Sequence, residues 1–173
     1  MKSRMRSGGL LMLTALTWAV LPAQARDWTV YVDGAGPLKI GMRYATVQHI
    51  LGQPLEPLPT LPHSGPLCAD LPVPGEPGVL LMFIGDVLKR VDVVQAGVQS
   101  DRGIAIGDPA DKVQRIYGEA VRVTPNFYDA RERYLTVEAG EGQYAIRFET
   151  SDGKISGFYA GAIEQVRYVE GCL

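Results

Sequence analysis

Residues 40–52 read IGMRYATVQHILG and residues 106–118 read IGDPADKVQRIYG. The two stretches lie 66 residues apart and share an opening Ile-Gly, a Val-Gln pair, an apolar pair and a closing glycine. In the second copy Asp108 is a candidate helix N-cap. Pro109 suits the first helical position, where no amide hydrogen is required, and Asp111 falls in the first turn, where the helix dipole favours anions. Val113, Ile116 and Tyr117 follow at i, i+3 and i+4 as one apolar stripe, and Gly118 supplies a left-handed stop. In the first copy Val47, Ile50 and Leu51 make the same stripe and Gly52 the same stop, with Pro54 preventing continuation. Helices this short are marginal alone and require something to pack on.

The segments downstream repeat as well. Leu81-Met82-Phe83 matches Ile146-Arg147-Phe148, Lys89 matches Lys154, and Ala96-Gly97 matches Ala160-Gly161, at offsets of 65, 65 and 64. Each unit therefore reads as a short helix, a variable loop, then antiparallel strands. The first has strands at 79–84 and 87–94, the second at 134–139, 144–150 and 154–160, joined by Gly85-Asp86, Gly140-Glu141-Gly142 and Ser151-Asp152-Gly153 turns. The apolar run from Val79 to Ile84 predicts a central strand buried on both faces. Two more strands are expected at 28–32 and 165–169.

Residues 1–25 have the pattern of an export leader: Lys2, Arg4 and Arg6, an apolar run from Leu10 to Val20, and a small-x-small site ending at Ala25. Cleavage after Ala25 leaves 148 of the 173 residues, the size of one ordinary domain. Losing three of the 17 basic residues leaves 14 against 19 acidic ones, a net charge of −5. Such a chain has no basic patch for nucleic acid or anionic lipid, and after cleavage no segment long and apolar enough for membrane insertion. In an exported chain two cysteines predict one disulfide, Cys68–Cys172. Lacking neighbouring histidines, they do not have metal-ligand spacing, so neither a metal nor a cofactor is expected.

The helix phrase, G-(D/M/T)-x3-5-V-x2-(I/L)-x-G, followed by a strand meander and present in tandem, resembles the repeat of the beta-lactamase inhibitory protein fold. It is similar also to small outer-membrane assembly lipoproteins of the SmpA/OmlA type. The tail from Tyr159-Ala160-Gly161 to Glu170-Gly171-Cys172 is similar to uncharacterised bacterial periplasmic proteins that end in EGC. The resemblance covers most of 38–172. It implies an α+β fold of two similar helix-then-strand units, with joined sheets, helices on one face and an open face on the other. The domain organisation expected is a signal peptide at 1–25, an N-terminal strand and lead-in at 26–37, a first unit at 38–103 with a proline-rich insertion at 53–78, and a second unit at 104–173. The lipoproteins carry a lipid-modified cysteine that this chain lacks at the cleavage point, so no lipid anchor is expected.

Function is sought where the units differ. The insertion 53–78 holds eight of the twelve prolines. It reads as an irregular covering segment pinned by Cys68, or as a docking arm with PxxP spacing at Pro59-Thr60-Leu61-Pro62. The second unit instead has an aromatic and basic loop, Asn126-Phe127-Tyr128-Asp129-Ala130-Arg131-Glu132-Arg133-Tyr134. Tyrosine and arginine carry much of the energy at recognition surfaces. The bland alternative is that Phe127 and Tyr134 are core and the charges a solvated turn. If Ile146 and Phe148 face the helices, alternation turns Arg147, Glu149, Tyr134, Thr136, Glu138, Arg90 and Asp92 to the opposite face. That makes a mixed-charge surface, either cross-strand ion pairs or a docking face.

Catalytic signals are thin. His49 and His63 are the two histidines, and neither sits in a nucleophile motif; phosphate loops, zinc spacings and local carboxylate pairs are missing. The chain is therefore read as a non-enzymatic periplasmic or secreted module that binds another envelope protein through an open sheet face and the aromatic/basic loop. Its candidate contacts are Phe127, Tyr128, Arg131, Arg133, Tyr134, Arg147 and Arg90. A structural accessory of envelope assembly, or a small-ligand or glycan binder, is the alternative.

Overall fold

The computed structural model describes residues 28–59 and 67–172. The leader with its cleavage site, His63 and the 60–62 part of the PxxP spacing lie outside the described residues. A small antiparallel meander comes first, β1 (Val30–Tyr31), β2 (Gly34–Ala35) and β3 (Leu38–Lys39). One seven-stranded antiparallel sheet then contains β4 (Cys68–Val73), β5 (Glu76–Ile84), β6 (Val87–Val93), β7 (Val121–Pro125), β8 (Arg133–Ala139), β9 (Tyr144–Ser151) and β10 (Lys154–Ala162). Its order is β4-β5-β6-β10-β9-β8-β7, so the last strands of the two units meet in the middle. The helices of the two repeated phrases are α1 (Tyr44–Leu51) and α2 (Asp111–Tyr117), and a helical turn, α3 (Ile163–Val166), follows β10. The α+β architecture of two joined helix-and-strand units is thus present.

The repeated phrase does more than start a helix. Gly41 donates to the Leu88 carbonyl at 2.8 Å, Leu88 to Met42 at 2.9 Å and Tyr44 to Asp86 at 2.7 Å. In the second unit Gly107 donates to Ile155 at 2.8 Å, Ile155 to Asp108 at 2.8 Å and Ala110 to Gly153 at 2.9 Å. The same three-bond clamp therefore fastens each helix entrance to the start of the last strand of its own unit. Both opening glycines have φ near +95°, at +96° for Gly41 and +93° for Gly107, a conformation that side chains with a Cβ rarely adopt. At the exit of α1, Gly52 at φ 63° donates to the Gln48 and His49 carbonyls, the expected glycine stop.

Both helices pack on one face of the sheet, where Val47, Leu51 and Val113 join a single buried cluster with Leu81, Phe83, Phe148 and Phe158. Tyr44 meets Phe83 edge-on at 5.5 Å and Tyr117 meets Phe148 at 6.4 Å. An apolar rung crosses all seven strands, Leu71, Leu81, Val91, Ala160, Ile146, Val137 and Val121. The adjacent rung, on the opposite face, runs Pro72, Leu80, Asp92, Tyr159, Arg147, Thr136 and Arg122.

Several sequence expectations are corrected. The insertion 53–78 is not wholly irregular, since it contains β4 and the start of β5. Proline is tolerated on an edge strand, and Pro72 sits on β4, which pairs with β5 alone. The second unit has an unanticipated strand, β7, likewise at an edge and ending in Pro125. The strand expected at 165–169 is instead α3 and coil, and that expected at 28–32 shortens to β1. Asp108 does not cap α2, because its carboxylate accepts from the Ala105 amide and the Lys112 ammonium, both at 2.8 Å. In the α2 stripe Ile116 is 39% exposed rather than buried. The strand alignment also moves: pairing makes Leu80 equivalent to Arg147, Met82 to Glu149 and Asp92 to Tyr159, two residues from the match by sequence. A shift of two keeps every side chain on its expected face.

Cys68 and Cys172 are joined by a disulfide, with Cα atoms 5.2 Å apart. It ties the C-terminal segment to β4, across the face opposite the helices. Among the described residues no helix is long and apolar enough to cross a membrane.

The β6–β10 junction depends on a close approach at Gly161, where an added Cβ would lie 2.2 Å from the Lys89 carbonyl oxygen. At Gly157, on the same strand, the nearest atom to such a Cβ is the Val93 carbonyl oxygen at 3.5 Å. Gly161→Ala is therefore expected to destabilise the protein by about 2–4 kcal/mol in urea unfolding, and Gly157→Ala by less than about 1 kcal/mol. Equal losses for the two variants would show that the junction does not depend on this contact.

Candidate functional site

The aromatic and basic loop is the tip of the β7–β8 hairpin, residues 126–132, and local side chains order it. Asn126 Oδ1 accepts the Tyr128 amide at 2.8 Å, an Asx turn, and the Asn126 amide closes the loop on the Glu132 carbonyl at 2.9 Å. Asp129 accepts the Arg131 amide at 3.0 Å and grips its guanidinium through both carboxylate oxygens. Arg131 accordingly holds the Asp129 carboxyl down at about 2. Glu132 accepts from the Thr150 hydroxyl at 2.6 Å and from the Asp152 amide at 2.9 Å, bonds that lower its pKa and tie the tip to the β9–β10 turn. Arg133 donates to the Ala130 and Glu132 carbonyls. On this frame Phe127 is 71% and Tyr128 63% exposed, their rings edge to face at 5.1 Å.

The seven candidate residues divide between two places. Phe127, Tyr128, Arg131 and Arg133 stand exposed on the hairpin, whereas Tyr134, Arg147 and Arg90 lie on the sheet and are all less than 10% exposed. Tyr134 links the two, its hydroxyl accepting the Phe127 amide at 3.4 Å. The face expected to be open is thus largely closed. Its two buried arginines lie over aromatic rings, Arg147 over Tyr134 at 4.9 Å and Arg90 over Tyr159 at 4.6 Å from the ring centroids. The C-terminal segment also covers it, as Ile163 and Val166 pack on Ala145 and Tyr159, and the Cys172 amide donates to Asp70 at 2.6 Å. Alternation along a strand tells which side a residue faces, not what later covers it.

Sequence reading missed Tyr159, Gln165, Arg122 and Arg167 on this face. Tyr159 alternates with the buried Phe158 and was legible from that period; Gln165 and Arg167 were hidden by the strand expected there, and Arg122 by the unrecognised β7.

Under the tail, Arg90 pairs with Asp92 at 2.8 Å and donates to the Gln165 carbonyl at 2.8 Å. Tyr159 donates to Glu149 at 2.9 Å, and burial, with the Glu149 charge, raises its phenol pKa. A cleft of about 190 Å³ opens beside them, between Glu149, Tyr159 and residues 169–171. The two pairs, Arg90–Asp92 and Tyr159–Glu149, meet where the Arg90 guanidinium lies over the Tyr159 ring.

No described protein family matches the chain, and no curated protein does. Among solved structures, the uncharacterized protein yfeY from Escherichia coli is similar at 14% identity and a TM-score of 0.48, with 77% of this chain and 99% of that chain covered. The likeness bears neither on function nor on which residues act.

Burial raises the Asp92 carboxyl to about 6 despite the opposing pull of Arg90, and the Asp70 and Glu149 charges push the same way. The native state thus retains a proton that the unfolded chain releases near pH 4, so this group's contribution to stability falls as pH rises from about 4 to about 6. Asp92→Asn removes the titration. In urea unfolding, wild-type stability relative to Asp92→Asn is expected to drop by about 3 kcal/mol between about pH 4 and pH 7. A difference that does not change with pH would show that Arg90 keeps Asp92 ionised throughout.

Proposed function

We propose that the chain is an exported, periplasmic protein-interaction module, inhibitor-like in action, that binds another envelope protein by seating the Phe127–Tyr128 hairpin tip in an apolar cleft of that partner. The exposed pair of aromatic rings on an already ordered tip carries the reading. Aromatic anchors are where binding energy concentrates, and a loop ordered before contact loses little entropy on docking. The Asx turn and the Asp129–Arg131 pair supply that order. The leader-like residues 1–25 and the Cys68–Cys172 disulfide support export to an oxidising compartment. So does the resemblance to an inhibitory fold.

A glycan site built from Tyr128, Arg131 and Tyr134 is less well supported, because Tyr134 is 5% exposed on the sheet while Tyr128 projects from the tip. A scaffold role would use the unpaired edge of β7, where Val123 is 50% exposed.

The test is capture from envelope extract on the mature protein, with Phe127→Ala/Tyr128→Ala as the paired bait. Since both side chains are exposed, the variant should keep its thermal midpoint while affinity for the specific partner falls about 30-fold or more. Identical retention on both baits sinks the assigned tip. Retention that survives the tip change but is lost on Val123→Pro moves the role to the β7 edge.

A further inference from the structure

The two buried arginines of the polar face are in different electrostatic situations. Arg90 has its own carboxylate, Asp92. Arg147, 9% exposed, forms no ion pair among the described residues: its Nε donates to the Thr136 hydroxyl at 3.0 Å, its guanidinium lies over the Tyr134 ring at 4.9 Å from the centroid, and its charge acts on the neighbouring Tyr159 hydroxyl. A guanidinium does not deprotonate in proteins, and a buried charge with only neutral partners is costly unless an anion reaches it.

Arg147 lines a cleft of about 300 Å³, together with Arg122, Thr124, Thr136, Glu138 and Arg167. Arg122 forms no ion pair among the described residues. Arg167 is bound to Glu138 at 3.1 Å, with both side chains partly exposed, a pairing that is weak and readily exchanged. Three guanidinium groups thus line a cleft that holds one carboxylate, Glu138, and that carboxylate is paired with Arg167 alone, in a chain whose net charge is −2. The fold does not require this arrangement, because the pairing-equivalent positions in the first unit are Leu80 for Arg147 and Pro72 for Thr136.

We propose that this cleft is a binding site for a small oxyanion, the carboxylate or phosphate group of a low-molecular-weight ligand. The anion seats against the terminal guanidinium nitrogens of Arg147, with Arg122 and Arg167 closing on it from β7 and from the segment after α3. The hydroxyls of Thr124 and Thr136 supply further donors at the wall. Charge-assisted and bidentate bonds from arginine suit both oxyanions, and the cleft's size fits one such group rather than a large cofactor. The site stands apart from the hairpin tip and does not depend on the partner proposed there.

The test titrates the full mature protein with inorganic phosphate and, separately, with succinate at constant ionic strength, with chloride as the control. Binding is followed by calorimetry and by the Arg147 Nε–Hε NMR signal. At least one of the two anions is expected to saturate and to move that signal. Which one saturates separates phosphate from carboxylate ligands. Arg122→Gln and Arg167→Gln should each weaken binding about tenfold or more, whereas the remote Arg43→Gln should leave it unchanged. Arg147→Met should abolish the anion-dependent rise in thermal midpoint without lowering the midpoint in anion-free buffer. The proposal is overturned if neither anion saturates up to about 50 mM. It is also overturned if chloride matches them, if Arg122→Gln changes affinity no more than Arg43→Gln does, or if Arg147→Met lowers the anion-free midpoint.

Discussion

The pairing of β6 with β10 is the constraint on which the rest of the molecule depends. The first unit alone is a three-stranded sheet under one short helix, too small to bury an adequate core. Four residues of each terminal strand pair antiparallel, from Phe158 with Val93 to Gly161 with Arg90, and turn two small sheets into one of seven strands. The backbones come close enough at Gly161 to exclude a Cβ. Because the two strands run antiparallel about a local two-fold, the apolar rung of one unit continues into that of the other without a slip. The polar rung on the opposite face is continuous for the same reason.

Much of this was legible in the phrase at 40–52 and its copy at 106–118, but only where the information is local. Apolar stripes at Val47 and Leu51 and at Val113, the glycine stop at Gly52 and the hairpin turns depend on near neighbours in the chain. The three-bond clamp at Gly41 and Gly107 is a long-range contact to Leu88 and Ile155, and no local pattern announces it. Proline content hid β4, since edge strands tolerate what a central strand does not. The same locality governs the site. That Arg147, Tyr134, Asp92 and Arg90 share a face follows from period-two alternation. That Arg90 and Asp92 are buried follows from α3 and the tail, which pack on Tyr159 and are tied to β4 by a disulfide 104 residues back, and Arg147 is laid over Tyr134.

Comparing units by pairing rather than by sequence sharpens where chemistry has been added to a common frame. Leu80 and Met82 of the first unit are replaced in the second by Arg147 and Glu149, and Pro72 by Thr136. Both features assigned here to binding, the β7–β8 tip and the arginine cleft, lie in the second unit. The first unit contributes instead the neutralised pair Arg90–Asp92 and the cysteine that receives the tail.

The tail divides the polar face into a half where the buried arginine has its own carboxylate and a half where it has none among the described residues. From Ile163 to Cys172 it crosses the sheet, seals Arg90 and Asp92 beneath it, and leaves Arg147 beside the cleft. It also delivers Arg167 to the cleft wall, where Glu138 holds it. A disulfide closing so long a loop restricts the unfolded chain, an effect of about 4–5 kcal/mol in the chain-entropy model. It also restricts where the tail can lie once the sheet has formed. The disulfide acts on the far end of the tail, beside Asp70, whereas α3, with Val166 fully buried against Ala145 and Tyr159, anchors the part that carries Arg167. The cysteine pair thus holds the end of the tail on β4, next to the cover over Arg90 and Asp92, while the second unit's arginines are placed by β7, β9 and α3.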